Sequence, residues 1–118
     1  MTIEAIAEHC LAKKMVTEEL PFDESTLVYK VAGKMFALTD SISREAVNLK
    51  CDPEVGVELR AQYDSITPGW HMNKTHWITV RLDGPYSEAD IKGWIDNSYD
   101  LVVGGMSKKM QRAIAEAE

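Results

Sequence analysis

The chain has 118 residues, 45% of them apolar and 27% charged, the make-up of one globular domain able to build a core without a disulfide or metal staple. Disorder, a collagen-like repeat and a membrane-spanning helix are excluded. Thirteen basic against nineteen acidic residues give a net charge of −6, which argues against a surface coated in positive charge for gripping nucleic acid.

Thr2 is placed to cap a first helix, in which Ile3, Ile6, Ala7, Cys10 and Leu11 recur at helical spacing. Glu4, Glu8, His9, Lys13 and Lys14 interrupt any apolar run that a secretory signal needs. Cys10 and Cys51 belong to no C-x-x-C pair and read as reduced, buried thiols. A cytoplasmic protein is expected.

After a loop ending at Pro21 and a polar turn at Asp23-Glu24, the pattern becomes β-rich. Leu27 to Ala32 and Met35 to Thr39 read as a hairpin turning at Gly33-Lys34. A third strand follows at Ala46 to Lys50. Asp52-Pro53-Glu54 starts a helix with a capping Asp, proline in the first turn and an acid at the positive end of the dipole. Val55, Leu59 and Tyr63 lie along its apolar face. Pro68-Gly69 reads as a turn and Trp70 to Met72 as a short strand, with Asn73-Lys74 turning into a strand over Thr75 to Leu82. Ser87 and Asp90 form a capping-box-like start. Ile91, Trp94, Ile95, Ser98, Leu101 and Val102 keep helical spacing up to Gly104-Gly105, and Ser107 caps a terminal helix with Met110 and Ile114. The order α-β-β-β-α-β-β-α-α predicts one α+β domain over residues 1–118. Its antiparallel sheet of about five strands is packed on one face by helices.

The charge is segregated along the chain. Residues 1–24 carry −4, the helix at 52–64 carries −3 and residues 83–106 carry −4, whereas residues 25–51 and 65–82 each carry +2 and the tail at 107–118 carries +1. If Val47, Leu49, Ile78, Val80 and Leu82 face the helices, alternation turns Asn48, Lys50, Trp77, Thr79 and Arg81 outward. Lys30 joins them, with Lys34, His71 and Lys74 in nearby turns. Cations that neutralise phosphates beside an indole that stacks on bases make a polyanion-binding face. The same residues also read as an ordinary wet sheet face.

The stretch Pro68-Gly69-Trp70-His71-Met72-Asn73-Lys74-Thr75-His76-Trp77-Ile78-Thr79-Val80 resembles the signature of the MmcQ/YjbR family of small bacterial proteins. The resemblance extends through Leu20-Pro21-Phe22-Asp23-Glu24, Val31 to Leu38, Ser98 to Val103 and Ser107-Lys108-Lys109, nearly the whole chain. Gly104-Gly105-Met106 departs from it locally. The resemblance implies an α+β fold likened to a double-wing motif and to secretion chaperones, and a DNA-binding function. Fold likeness alone does not fix a function.

His71 and His76 lack neighbouring cysteines or carboxylates in their segment and read as hydrogen-bonding or surface side chains, so no metal is expected. No G-x-S-x-G, P-loop or G-x-G-x-x-G occurs, and Asp23-Glu24 and Asp52/Glu54 are turn and cap residues. The chain is expected to be no enzyme and to need no cofactor or membrane. The leading expectation is DNA binding through Lys30, Lys34, Lys50, Trp77 and Arg81, with His71, Asn73 and Lys74 at the tip of a 68–77 wing. The alternative is a chaperone-like module that binds a protein partner or a second copy of itself.

Overall fold

The computed structural model describes residues 1–69 and 73–118. Its elements are α1 (Ile3–Leu11), β1 (Val16–Glu19), β2 (Thr26–Val31), β3 (Lys34–Asp40), β4 (Ala46–Lys50), α2 (Pro53–Gln62), β5 (Ile66–Pro68), β6 (Trp77–Arg81), α3 (Glu88–Gly104) and α4 (Lys108–Glu116). The strands form one antiparallel sheet in the order β1-β2-β3-β4-β6-β5. Among the described residues it has six strands where about five were expected. Two were not expected: β5, and β1, a four-residue edge strand in which only Val16 packs inward, too short for alternation to reveal.

The helix starts follow their sequence signals. Thr2, Asp52, Ser87 and Ser107 each accept a backbone N–H of the first turn, and Ser87 with Asp90 closes a reciprocal capping box. The β2–β3 hairpin turns at Ala32-Gly33, one residue earlier than expected. Both have positive φ, 47° and 85°, the requirement of a tight I′ turn.

The stretch before β6 differs most. The expected turn at Pro68-Gly69 is instead the end of β5, which pairs Ile66 with Val80 and Pro68 with Ile78; the Gly69 N–H donates to the Trp77 carbonyl at 2.9 Å. Pro68 is tolerated because β5 is an edge strand. The strand expected at Trp70 to Met72 lies outside the described residues. Residues 74–76 are turn, so the last strand starts at Trp77. On α2 the buried residues are Gly56 and Leu59, and Val55 is exposed. A Cβ on Gly56 would meet the Arg60 guanidinium at 3.0 Å and Ile78 and the Cys51 sulfur at ordinary contact distances of 3.6 and 3.8 Å, so this side of α2 faces the sheet.

Ile6, Cys10, Leu59, Ile91, Ile95, Val102 and Ile114 pack with Tyr29, Phe36, Ala37, Val47, Leu49, Ile66, Ile78 and Val80 into one core on the helical side of the sheet. Burial pushes the Cys10 thiol up to about 12; both cysteines are free and buried. Tyr63, Tyr86 and Trp94 form an edge-to-face cluster, with neighbouring centroids 5.1–6.1 Å apart.

Between β2 and β3 the register shifts after Tyr29: Ala37 opposes Tyr29, Met35 opposes Lys30, and Phe36 is the extra residue of a bulge. Next to it the β3–β4 ladder ends at Ala37–Leu49, and the following pair is bridged from α3: the fully buried Ser98 hydroxyl donates to the Phe36 carbonyl at 2.6 Å and accepts the Lys50 N–H at 2.9 Å. Ser98→Ala strands both backbone groups, at about 1–3 kcal/mol for each buried unpaired group, so its urea midpoint falls well below that of wild type.

A second tie joins α1 to α3. Asp96 accepts from Lys13 and lies 2.7 Å from His9 Nε2, and Lys13 sits 5.2 Å from the Tyr99 ring centre. Partial burial raises the Asp96 carboxyl, but the hydrogen bonds and charges of Lys13 and His9 outweigh it and hold the group below the usual range. A carboxyl lowered in the folded state contributes stability that is complete above its unfolded value of about 3.9 and lost as pH falls through the folded value. Denaturant titrations across that acid window should show wild type losing stability that Asp96→Asn, already without it, does not lose.

Candidate nucleic-acid interface

The pairing register fixes which side chains share the face opposite the helices. Glu19, Val28, Leu38, Asn48, Thr79 and Thr67 form one row across the sheet. Val28 and Leu38 at its centre are 0% and 7% exposed, so this apolar centre is already sealed. Beside them Thr79 Oγ1 donates to Asn48 Oδ1 at 2.6 Å. Lys50 and Trp77 are direct cross-strand partners on the same face, and Ala46 and Arg81 are partners at its other end.

The expected basic residues do not form a uniform layer. Arg81 lies at the end of the sheet where β3 finishes and β4 begins, between Asp83 at 3.1 Å and Glu45 at 3.7 Å. Its hydrogen bond and charge hold Asp83 below the usual carboxylate range. Arg81 is thus neutralised by its own loops and separated from the other candidates. Lys30 is on the open face beside Glu19, at 3.4 Å, an exposed pair of small worth. Lys34 opposes Val31, which opposes Val16, so it falls in the helix-side row, exposed at the sheet's rim. Lys50 is half-buried at the end of β4, and Lys74 is exposed in the turn before β6. Among the described residues, Lys34, Lys50 and Lys74 form no ion pair within 4.0 Å.

Asn73 has a structural duty at this end. Its Oδ1 accepts the Thr75 N–H at 2.9 Å, and its carbonyl accepts the N–H groups of His76 and Trp77 at 3.2 and 3.0 Å. It shapes the turn that presents Lys74. His71 lies outside the described residues. The structure therefore brings Lys30, Lys34, Lys50, Lys74 and Trp77 to one end of the sheet and leaves Arg81 at the other. Strand alternation identified the face, but the separation along the strands depends on register, which sequence spacing does not contain.

The Trp77 position depends on close β5–β6 contact. A Cβ at Gly69 would meet the Trp77 Cβ at 2.6 Å, with the Trp77 backbone at 3.2 Å. Gly69→Ala forces this contact apart and should cost about 1–3 kcal/mol in stability, read by denaturant unfolding.

A sequence model described as YjbR matches residues 11–101. YjbR of Escherichia coli K12 is 32% identical over 117 residues, spanning 98% of this chain and 99% of the relative. YbdF of Escherichia coli O157:H7 is 38% identical over 113 residues, spanning 90% of this chain and 93% of the relative. The crystal structure of a Deinococcus radiodurans protein superposes with a TM-score of 0.90 at 37% identity, covering 97% of this chain and 88% of that one. A Pseudomonas syringae crystal structure gives a TM-score of 0.73 at 28% identity, covering 86% and 98%. With a family match over most of its length and relatives aligned almost end to end, this chain belongs to the YjbR family.

Proposed function

We propose that this protein is a non-catalytic DNA-binding protein that contacts a strand with the basic end of its sheet. The observation that carries the reading is that Lys30, Lys50 and Trp77 share the open face at one end of the sheet, with Lys34 on its rim and Lys74 in the turn before β6, and Arg81 with its acidic partners at the far end. Lysines contribute phosphate neutralisation, and the half-buried Trp77 offers part of its indole to a base or sugar. The acidic helices keep affinity low and confine contact to this end. A chaperone-like hold on the same face is the second reading; the sealed Val28–Leu38 centre offers it little apolar area.

Fluorescence anisotropy with labelled single-stranded and duplex DNA at several salt concentrations tests the proposal. Saturable binding at low salt is expected, with a log–log salt slope no steeper than about −4, since four lysines neutralise at most four phosphates. Lys50→Glu with Lys74→Glu should abolish it, whereas Arg81→Glu should leave it nearly unchanged. Absence of saturable binding, or indifference to the double substitution, overturns the reading.

A further inference from the structure

The other end of the sheet carries a different chemistry. The loops at 20–25 and 41–45 lie side by side where β2 begins and β3 ends, joined by the Ser41 N–H and hydroxyl donating to the Ser25 carbonyl at 2.8 and 3.0 Å. They expose three large apolar side chains, Leu20 at 52%, Phe22 at 64% and Ile42 at 80%. Three of the eight large apolar side chains exposed among the described residues, the two most exposed included, thus fall on these two joined loops, and clustering is what separates an interaction patch from scattered exposure.

Neither loop is slack. Asp23 Oδ1 accepts the N–H groups of Ser25 and Thr26 at 2.9 and 2.7 Å, and Asp40 Oδ1 accepts those of Ile42 and Ser43 at 2.8 and 3.1 Å. A partner therefore meets anchors already held in place, which lowers the ordering cost of binding.

The charge around these anchors specifies the occupant. Asp23, Glu24 and Asp40 pair with no cation among the described residues, while the nearby Arg44 is engaged by Glu4 and Arg81 by Glu45 and Asp83. The hydrogen bonds from Thr26 and Ser25 hold the Asp23 carboxyl below the usual range, so its charge persists at neutral pH. We infer that the Leu20–Phe22–Ile42 surface docks a basic amphipathic segment of another protein, its apolar residues covering the anchors and its lysines or arginines facing the carboxylates. This inference does not depend on DNA binding, which uses the opposite end of the sheet.

The test uses the full chain and two labelled synthetic peptides, an amphipathic Leu/Lys peptide and its Leu/Glu counterpart. By anisotropy the Leu/Lys peptide should bind saturably and the Leu/Glu peptide should not. Phe22→Ser with Ile42→Ser should weaken binding about tenfold or more, and Glu24→Lys should weaken it as well, with unchanged melting temperatures showing intact folds. Lys74→Glu, at the other end, should leave peptide affinity unaltered. Equal affinity of wild type and the double variant would place the peptide elsewhere, on the acidic helices, and overturn the inference. So would sedimentation showing a wild-type dimer that the double variant abolishes, because the occupant would then be a second copy of this chain.

Discussion

The hydroxyl of Ser98 holds the two layers of this protein in register. The β3–β4 ladder stops at Ala37–Leu49, next to the Phe36 bulge in the β2–β3 pairing, and in a dry interior the backbone groups beyond it need a new partner. Ser98 supplies both, accepting the Lys50 N–H and donating to the Phe36 carbonyl. One α3 side chain thereby ties the helix to β3 and β4 at once. Lys50, whose N–H Ser98 accepts, pairs with Trp77 on the other edge of β4, and the Cys51 N–H continues that pairing to the His76 carbonyl, so the basic end is built directly beside this buried serine.

The sheet also resolves the net charge. A value of −6 describes neither end of the open face. Reading along the strands, lysines gather where β2 finishes and β3 begins, while carboxylates and exposed apolar side chains gather where β3 finishes and β4 begins. Antiparallel pairing makes this polarity: it brings alternate strand ends together, so residues distant in sequence add their charges at one edge. Two surfaces of opposite chemistry can share one small domain because they lie a strand's length apart.

Much of this was legible in the sequence. The caps at Thr2, Asp52, Ser87 and Ser107 are local chemistry and were visible as such, as was the inward set Val47, Leu49, Ile78 and Val80. What escaped was set by tertiary contact. β1 gains its identity by pairing with β2, its own four residues carrying almost no pattern. Gly56, not Val55, faces the sheet because the helix turns that side toward Ile78 and Cys51, an orientation set by packing that the apolar spacing of α2 does not carry. Arg81 looked like a partner of Lys50 because both alternate outward; their positions at opposite ends of β6 and β4, and the clasp of Asp83 and Glu45, depend on loops that alternation does not describe. Lys34, expected in the turn, is the first residue of β3 because the turn falls one residue earlier, and the bulge puts it on the helix-side row.

The most direct test of the central claim is residue-level mapping by two-dimensional amide NMR while a short single-stranded DNA is titrated into the isotope-labelled protein. The account predicts shifts concentrated at Lys30, Lys34, Lys50 and the Lys74–Trp77 turn, with the amides of Glu45, Arg81 and Asp83 unmoved. Shifts centred on Arg81, or spread evenly over the acidic helices, would contradict it.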